Sequence, residues 1–113
     1  MKINKIIPFF VIFVFCFVFN EKEVKSTNFE KGKEIFFANC TACHSGGNNI
    51  IIPEKNLKKM SLEANGMNKI ESIIYQVING KNGMPAFGGR LKEEDIEDVA
   101  AYVLKQSENN FNE

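Results

Sequence analysis

Cys40, Cys43 and His44 are the residues of this chain best suited to chemistry, and they stand together as Cys40-Thr41-Ala42-Cys43-His44. Thiols three residues apart lie on one side of a helical turn, and the imidazole that follows projects beside them. This is the C-x-x-C-H spacing of haem attachment, in which two thiols add to the two vinyl groups and the imidazole binds iron beneath the porphyrin. Such a tether keeps the group in place even in a shallow, partly exposed cleft. Three other readings compete. A thioredoxin-like redox pair calls for a βαβ setting that the sequence lacks. A zinc site needs four ligands, and only these two cysteines and the chain's sole histidine are at hand. A plain disulfide would explain the cysteines but not the adjacent histidine.

With His44 on one face of the iron, the opposite face decides what the site can do. An open position allows small-molecule binding or peroxide chemistry, whereas a filled one makes an electron carrier. A second histidine is impossible within the chain. The candidates are Met60, Met67 and Met84, with lysine a weaker option. Met84 is favoured because it lies in Gly80-Lys81-Asn82-Gly83-Met84-Pro85-Ala86-Phe87-Gly88-Gly89, a segment able to wrap an edge yet stiffened by Pro85. Proline fixes its own φ and drives the residue before it toward an extended conformation. A methionine that merely fills core more often sits in a helical stripe than among glycines. His/Met ligation raises the reduction potential of the iron. The other nitrogen of His44 needs an orienting acceptor, and the apolar stretch Ile50–Pro53 makes the Pro53 carbonyl, or one near it, the expected one.

These groups must be positioned by a small body. The chain has 113 residues, room for one domain. Formal charge is zero, so nothing points to nucleic acid. Lys2 and Lys5 precede fourteen nearly unbroken apolar residues, Ile6 to Phe19. As a helix these reach about 21 Å against roughly 30 Å of bilayer hydrocarbon, which fits a signal-peptide core better than a membrane span. Val24-Lys25-Ser26 suits cleavage after Ser26, giving a signal peptide at 1–26 and a domain at 27–113, with cleavage nearer Asn20 or an uncleaved anchor as the alternatives. Four of the fourteen basic and two of the fourteen acidic residues lie in the leader, so residues 27–113 carry a net charge of −2. A domain this short buries only part of its unfolded surface, and a buried cofactor would add core.

The pattern reads as all-α, with three main helices and one or two short ones. Thr27 or Asn28 can cap a first helix beginning near Phe29 and running through Ile35, Phe36 and Asn39. Gly32 in it suits a close helix crossing, with Ala100 the matching small residue and Phe36 filling the flank. Ser45 to Pro53 reads as loop. Short helices are expected over Leu57 to Met60 and Leu62 to Asn65, stopped by Gly66. Asn68 with Glu71 resembles a capping box for a helix that carries Ile70, Ile73, Ile74, Val77 and Ile78 on one face and ends at Asn79-Gly80. The last helix starts near Lys92, its positive end met by Glu93, Glu94 and Asp95, and presents Ile96, Val99, Ala100 and Val103 as a stripe. The tail from Glu108 is polar and expected to fray.

The same residues resemble the class I c-type cytochromes and, within them, the cytochrome c6 group. The resemblance rests on Gly32 and Phe36, Ala-Asn-Cys-Thr-Ala-Cys-His at 38–44, Gly-Gly-Asn-Asn at 46–49 and Leu-Glu-Ala-Asn at 62–65. It continues through Tyr-Gln-Val at 75–77, Asn-Gly-Lys-Asn at 79–82, Met-Pro-Ala-Phe-Gly-Gly-Arg-Leu at 84–91 and Tyr-Val-Leu at 102–104. It implies a class I cytochrome c fold around one covalently bound haem c, with Cys40 and Cys43 as attachment points and His44 and Met84 as axial ligands. It further implies a carrier, not an enzyme, that passes electrons from the cytochrome b6f complex (cytochrome f) to photosystem I. Matching positions place Gln76 near the haem, tuning its potential, and Arg90 at the haem edge or docking face. A monomer is the expected state, with weak oligomers as the alternative and no stable membrane insertion once the leader is removed. Phe, Ile, Asn and Lys, all with A/T-rich codons, are abundant. Together with the single leader this points to a plastid gene and export to the thylakoid lumen, a cyanobacterial lumen or bacterial periplasm being the alternatives. The competing wiring is a bacterial periplasmic cytochrome feeding a terminal oxidase, and the competing activity is a peroxidase or gas sensor with a labile sixth ligand.

Overall fold

The structure, a computed structural model, describes residues 27–112, and the leader expected at 1–26 lies outside them. Among the described residues there is no strand longer than an isolated bridge. The elements are helices α1 (Phe29–Asn39), α2 (Thr41–His44), α3 (Lys59–Ala64), α4 (Ile70–Asn79) and α5 (Glu93–Ser107), with 3₁₀ turns at Ser45–Gly47 and Pro53–Lys55. The all-α expectation holds, with α1, α4 and α5 as the main helices. No helix among the described residues is long and apolar enough to cross a membrane.

α5 is the spine, packing on both α1 and α4. Its stripe is buried as the spacing required: Ile96, Val99, Ala100 and Val103 are each 6% exposed or less. Asn28 caps α1, its side-chain oxygen accepting from the Lys31 N–H at 3.0 Å. The Asn28 N–H in turn donates to the buried Asp98 carboxylate at 3.0 Å, tying the start of α1 to α5. Gly32 marks the crossing, but the partner differs from expectation. A Cβ there would overlap the Asp98 carbonyl and lie 2.9 Å from Tyr102 Cβ. Residues 98 and 102 are one turn apart and share a face, whereas Ala100 points elsewhere on the helix. Phe36 does flank the crossing, its ring 5.4 Å from that of Tyr102.

Three local expectations are corrected. The Asn68–Glu71 capping box does not form: α4 begins at Ile70 with extended Lys69 as its cap position, so Asn68 is one residue too early to reach the first-turn N–H groups. The two short helices near 57–65 are one, Lys59–Ala64, closed by a Schellman turn in which the Met67 N–H reaches the Leu62 carbonyl at 2.7 Å and the Gly66 N–H the Glu63 carbonyl at 3.2 Å. The tail after Ser107 does not fray at once. Phe111 packs on the core with its ring 5.8 Å from Phe36.

Candidate functional site

A cavity of about 390 Å³ opens between α1, α4, α5 and the segments 49–57 and 81–87, and Cys40, Cys43, His44, Gln76 and Met84 all line it. Much of the remaining wall is apolar, with Phe36, Leu62, Ile73, Val77, Phe87 and Val99 among its side chains.

The cysteine–histidine segment continues α1 through a break at Cys40. The Cys40 N–H closes the first helix on the Phe36 carbonyl at 2.8 Å, and the Cys40 carbonyl accepts from Cys43 and His44 at 3.2 and 2.8 Å. One helical turn thus places both thiols and the imidazole at the cavity wall. The chain then reverses through Gly46 and Gly47, and the Asn48 carbonyl returns to His44 Nδ1 at 2.8 Å. A carbonyl only accepts, so Nδ1 carries the proton and Nε2 keeps its lone pair for a metal. The acceptor is therefore Asn48 and not Pro53. The 3₁₀ turn brings residue 48 under the ring, whereas Pro53 opens a separate turn whose carbonyl accepts from the Asn56 side chain. Asn49, which sequence reasoning passed over, shapes the following loop. Its Oδ1 accepts from the Ile51 and Ile52 N–H groups at 3.0 and 2.9 Å, and its Nδ2 donates to the Lys55 carbonyl at 2.8 Å.

The Met84 loop is built outward from the end of α4. Gly80 ends the helix at φ 69°, a conformation that side-chain-bearing residues avoid. Lys81 and Met84 then exchange two backbone hydrogen bonds, at 3.1 and 3.0 Å, across a turn in which Asn82 takes φ 55°. The loop is sewn back where α4 leaves carbonyls without helical partners: the Phe87 N–H bonds the Val77 carbonyl at 2.9 Å and the Gly88 N–H that of Ile78 at 3.0 Å. Gln76, one turn from the end of the same helix, points its Nε2 at Met84 Sδ, 3.6 Å away. Of the other methionines, Met60 is 81% exposed and lies outside the cavity lining. Met67 does line it, but it also occupies the place after the Schellman glycine where an apolar side chain packs back on its helix. Arg90 is exposed and outside the lining, its guanidinium 5.0 Å from the ring centroid of Phe87, which does line the cavity.

The competing readings of the cysteine pair find no support in this geometry. Both thiols are free. Among the described residues no three His, Cys, Asp or Glu side chains gather as a metal cluster. Burial, and then the charge of Cys43, push the Cys40 thiol up to about 11, the reverse of what a redox-active thiolate needs. A largely apolar cavity with two free thiols, one imidazole nitrogen left open and one thioether fits an iron porphyrin: a flat apolar ligand with two reactive edges and a soft-tolerant metal.

A family model described as "Cytochrome C oxidase, cbb3-type, subunit III" matches residues 27–103. Cytochrome c6 of Bumilleriopsis filiformis is 71% identical over 79 residues, 70% of this chain and 92% of that protein. Cytochrome c6 of Porphyra purpurea is 58% identical over 99 residues, 88% and 90% of the two chains. The chain belongs to the cytochrome c6 family. The crystallised cytochrome c6 of the diatom Phaeodactylum tricornutum superposes with a TM-score of 0.71 at 53% identity, over 74% of this chain and 98% of that one. The fold is thus that of the class I cytochromes c, and cytochrome c6 proteins are haem-carrying electron-transfer proteins, not enzymes.

Proposed function

We propose that this chain carries electrons singly in photosynthetic electron transport, from the cytochrome f of the cytochrome b6f complex to photosystem I, within the thylakoid lumen. One haem c per chain is held through thioethers at Cys40 and Cys43, with His44 and Met84 as axial ligands. The bound haem supplies an iron that alternates between ferric and ferrous. The chain's own residues decide that it does little else. His44, its Nδ1 committed to Asn48, offers Nε2 in a fixed orientation. Met84 closes the other face, excludes small molecules and favours the reduced state. Gln76 donates to its sulfur, and Arg90 adds positive charge beside Phe87. Residues 27–113 form the working domain after cleavage behind Ser26, and it acts as a monomer.

The observation that carries this reading is the convergence of His44, Met84 and both cysteines on one largely apolar cavity. Visible spectra of the purified protein in both redox states test the site. A weak near-red band in the ferric form, no carbon monoxide complex in the ferrous form and colour that survives acid–acetone extraction are expected. A haem lost to acid–acetone, or one that binds carbon monoxide, overturns the ligand set. The matching family model takes its description from an oxidase subunit, so donation to a terminal oxidase is the second reading. Flash-induced oxidation by photosystem I particles separates the two, and rapid oxidation is the expected result.

A further inference from the structure

The chain after α5 turns sharply, and its geometry is costly in isolation. Asn110 and Phe111 are consecutive left-handed residues at φ 57° and 61°, a conformation that asparagine tolerates and a bulky aromatic does not favour. The hook is held by the Phe111 N–H on the Gln106 carbonyl at 2.9 Å and by Asn110 Oδ1, which accepts from the Lys59 N–H at 3.3 Å. The ring of Phe111 then lies on Gly47 so closely that a Cβ at Gly47 would stand 2.5 Å from Phe111 Cδ1. Gly47 is buried, sits at φ 79°, and its carbonyl accepts from the Leu57 N–H at 2.7 Å. The next residue, Asn48, provides the carbonyl that holds His44 Nδ1.

We infer that Phe111 is a positioning residue for His44: its ring clamps Gly47 so that the Asn48 carbonyl stays at the Nδ1 edge of the imidazole. The inference rests on His44 being an iron ligand, as proposed above. An acceptor on Nδ1 fixes the ring's orientation and raises its basicity toward a metal. Removing the clamp frees the 45–48 turn, weakens that hydrogen bond and makes the imidazole a poorer donor to ferric iron. The strained tail is thereby explained as the outer wall of the histidine side.

The test uses the full holoprotein and follows the His44 Nδ1 proton by paramagnetic proton NMR, together with the reduction potential. Phe111→Ala is expected to speed exchange of that proton with solvent about tenfold or more and to raise the potential, while Phe111→Tyr restores both. Ile96→Ala, a core truncation away from the cavity lining, is the control for general destabilisation and is expected to leave the His44 signals in place. In the unsubstituted protein, the His44 Nδ1 proton and the Phe111 amide are expected to have protection factors, each taken against its own intrinsic exchange rate, within about threefold of each other, since one opening exposes both. That comparison decides the matter if Phe111→Ala does not fold. Unchanged Nδ1 exchange in Phe111→Ala, or an Nδ1 proton far better protected than the Phe111 amide, overturns the inference. Absence of any histidine-ligated haem in the unsubstituted protein instead overturns the ligand assignment.

Discussion

His44 closes a helical turn whose own hydrogen bonds reach three or four residues along the chain, with Leu57 and Phe111 fastening only the Gly47 turn beyond it, whereas the Met84 loop has one local pairing, Lys81 with Met84, and is otherwise anchored on another element. On the histidine side, Cys40 accepts from Cys43 and His44, and Asn48 from the imidazole. On the methionine side, the fastenings beyond the Lys81–Met84 pairing are the Phe87 and Gly88 N–H groups on α4, the Gln76 side chain, and the close approach of Ile51 to Gly83. Local bonds re-form as soon as they break, while a loop fastened at distant points opens as a unit. The two sides of the proposed haem site therefore differ in lability. In the proposed site the histidine side is the more firmly built, and the methionine side would set whether a bound iron is closed to other ligands.

Met84→Ala has the largest expected effect. It removes the thioether and leaves a cavity, costing about 2–5 kcal/mol by urea unfolding. The near-red band disappears and the ferrous protein binds carbon monoxide. A variant that keeps the band would mean that Met67 or another group is the ligand. Gly80→Ala comes next. Its Cβ would stand 2.5 Å from the Met84 carbonyl oxygen, and φ 69° disfavours any side chain. Strain of about 1–3 kcal/mol is expected in the loop. It should appear as imidazole binding to the ferric protein roughly tenfold faster than normal, stopped-flow absorbance being the measurement. A matching substitution on the histidine side, Asn48→Ala, keeps the backbone carbonyl and should leave that rate unchanged.

The difference between the sides also governs what could be read from the sequence. α1, α4 and α5 were legible because their apolar residues recur at helical spacing, and Cys40, Cys43 and His44 because three unusual side chains sit within five residues. Met84 was legible as a methionine among glycines. The acceptor for His44 was not, because a backbone carbonyl has no sequence signature and the turn that delivers it depends on Gly46 and Gly47. Phe111 was hidden for a related reason. It lies among polar residues, and only the three-dimensional approach to Gly47 gives it a role. Met67 reaches the cavity wall because a Schellman turn places it there, a local event that Gly66 signals only as a helix stop.

Ile51→Ala tests the mouth of the cavity more gently. Ile51 is 54% exposed, so it buries only part of its surface, and its loss costs about 0.5–1 kcal/mol. It approaches the Met84 loop at Gly83. Imidazole binding is expected to quicken by a factor of roughly two to five, with global stability changed by no more than that cost. An effect as large as that of Gly80→Ala would mean that the loop is held chiefly at its edge and not by its return to α4.

Gln76→Leu is the smallest change and bears on the electronics of the methionine side without opening it. The amide Nε2 lies 3.6 Å from Met84 Sδ, a long contact to a weak acceptor. Its positive end still faces the ligand in a largely apolar cavity, where water does little to screen it. A donor on sulfur draws density from the lone pair that supports ferric iron, and a nearby positive dipole makes the added charge of the ferric state less favourable. Both act in the same direction, so loss of the amide lowers the potential. A hydrogen bond worth about 0.5–1.5 kcal/mol corresponds to roughly 20–60 mV for one electron. Redox titration checks the shift, and retention of the near-red band shows that Met84 remains bound. A potential that stays put or rises would leave Gln76 as a packing residue, and the closed iron would owe its potential to the thioether and the apolar wall alone.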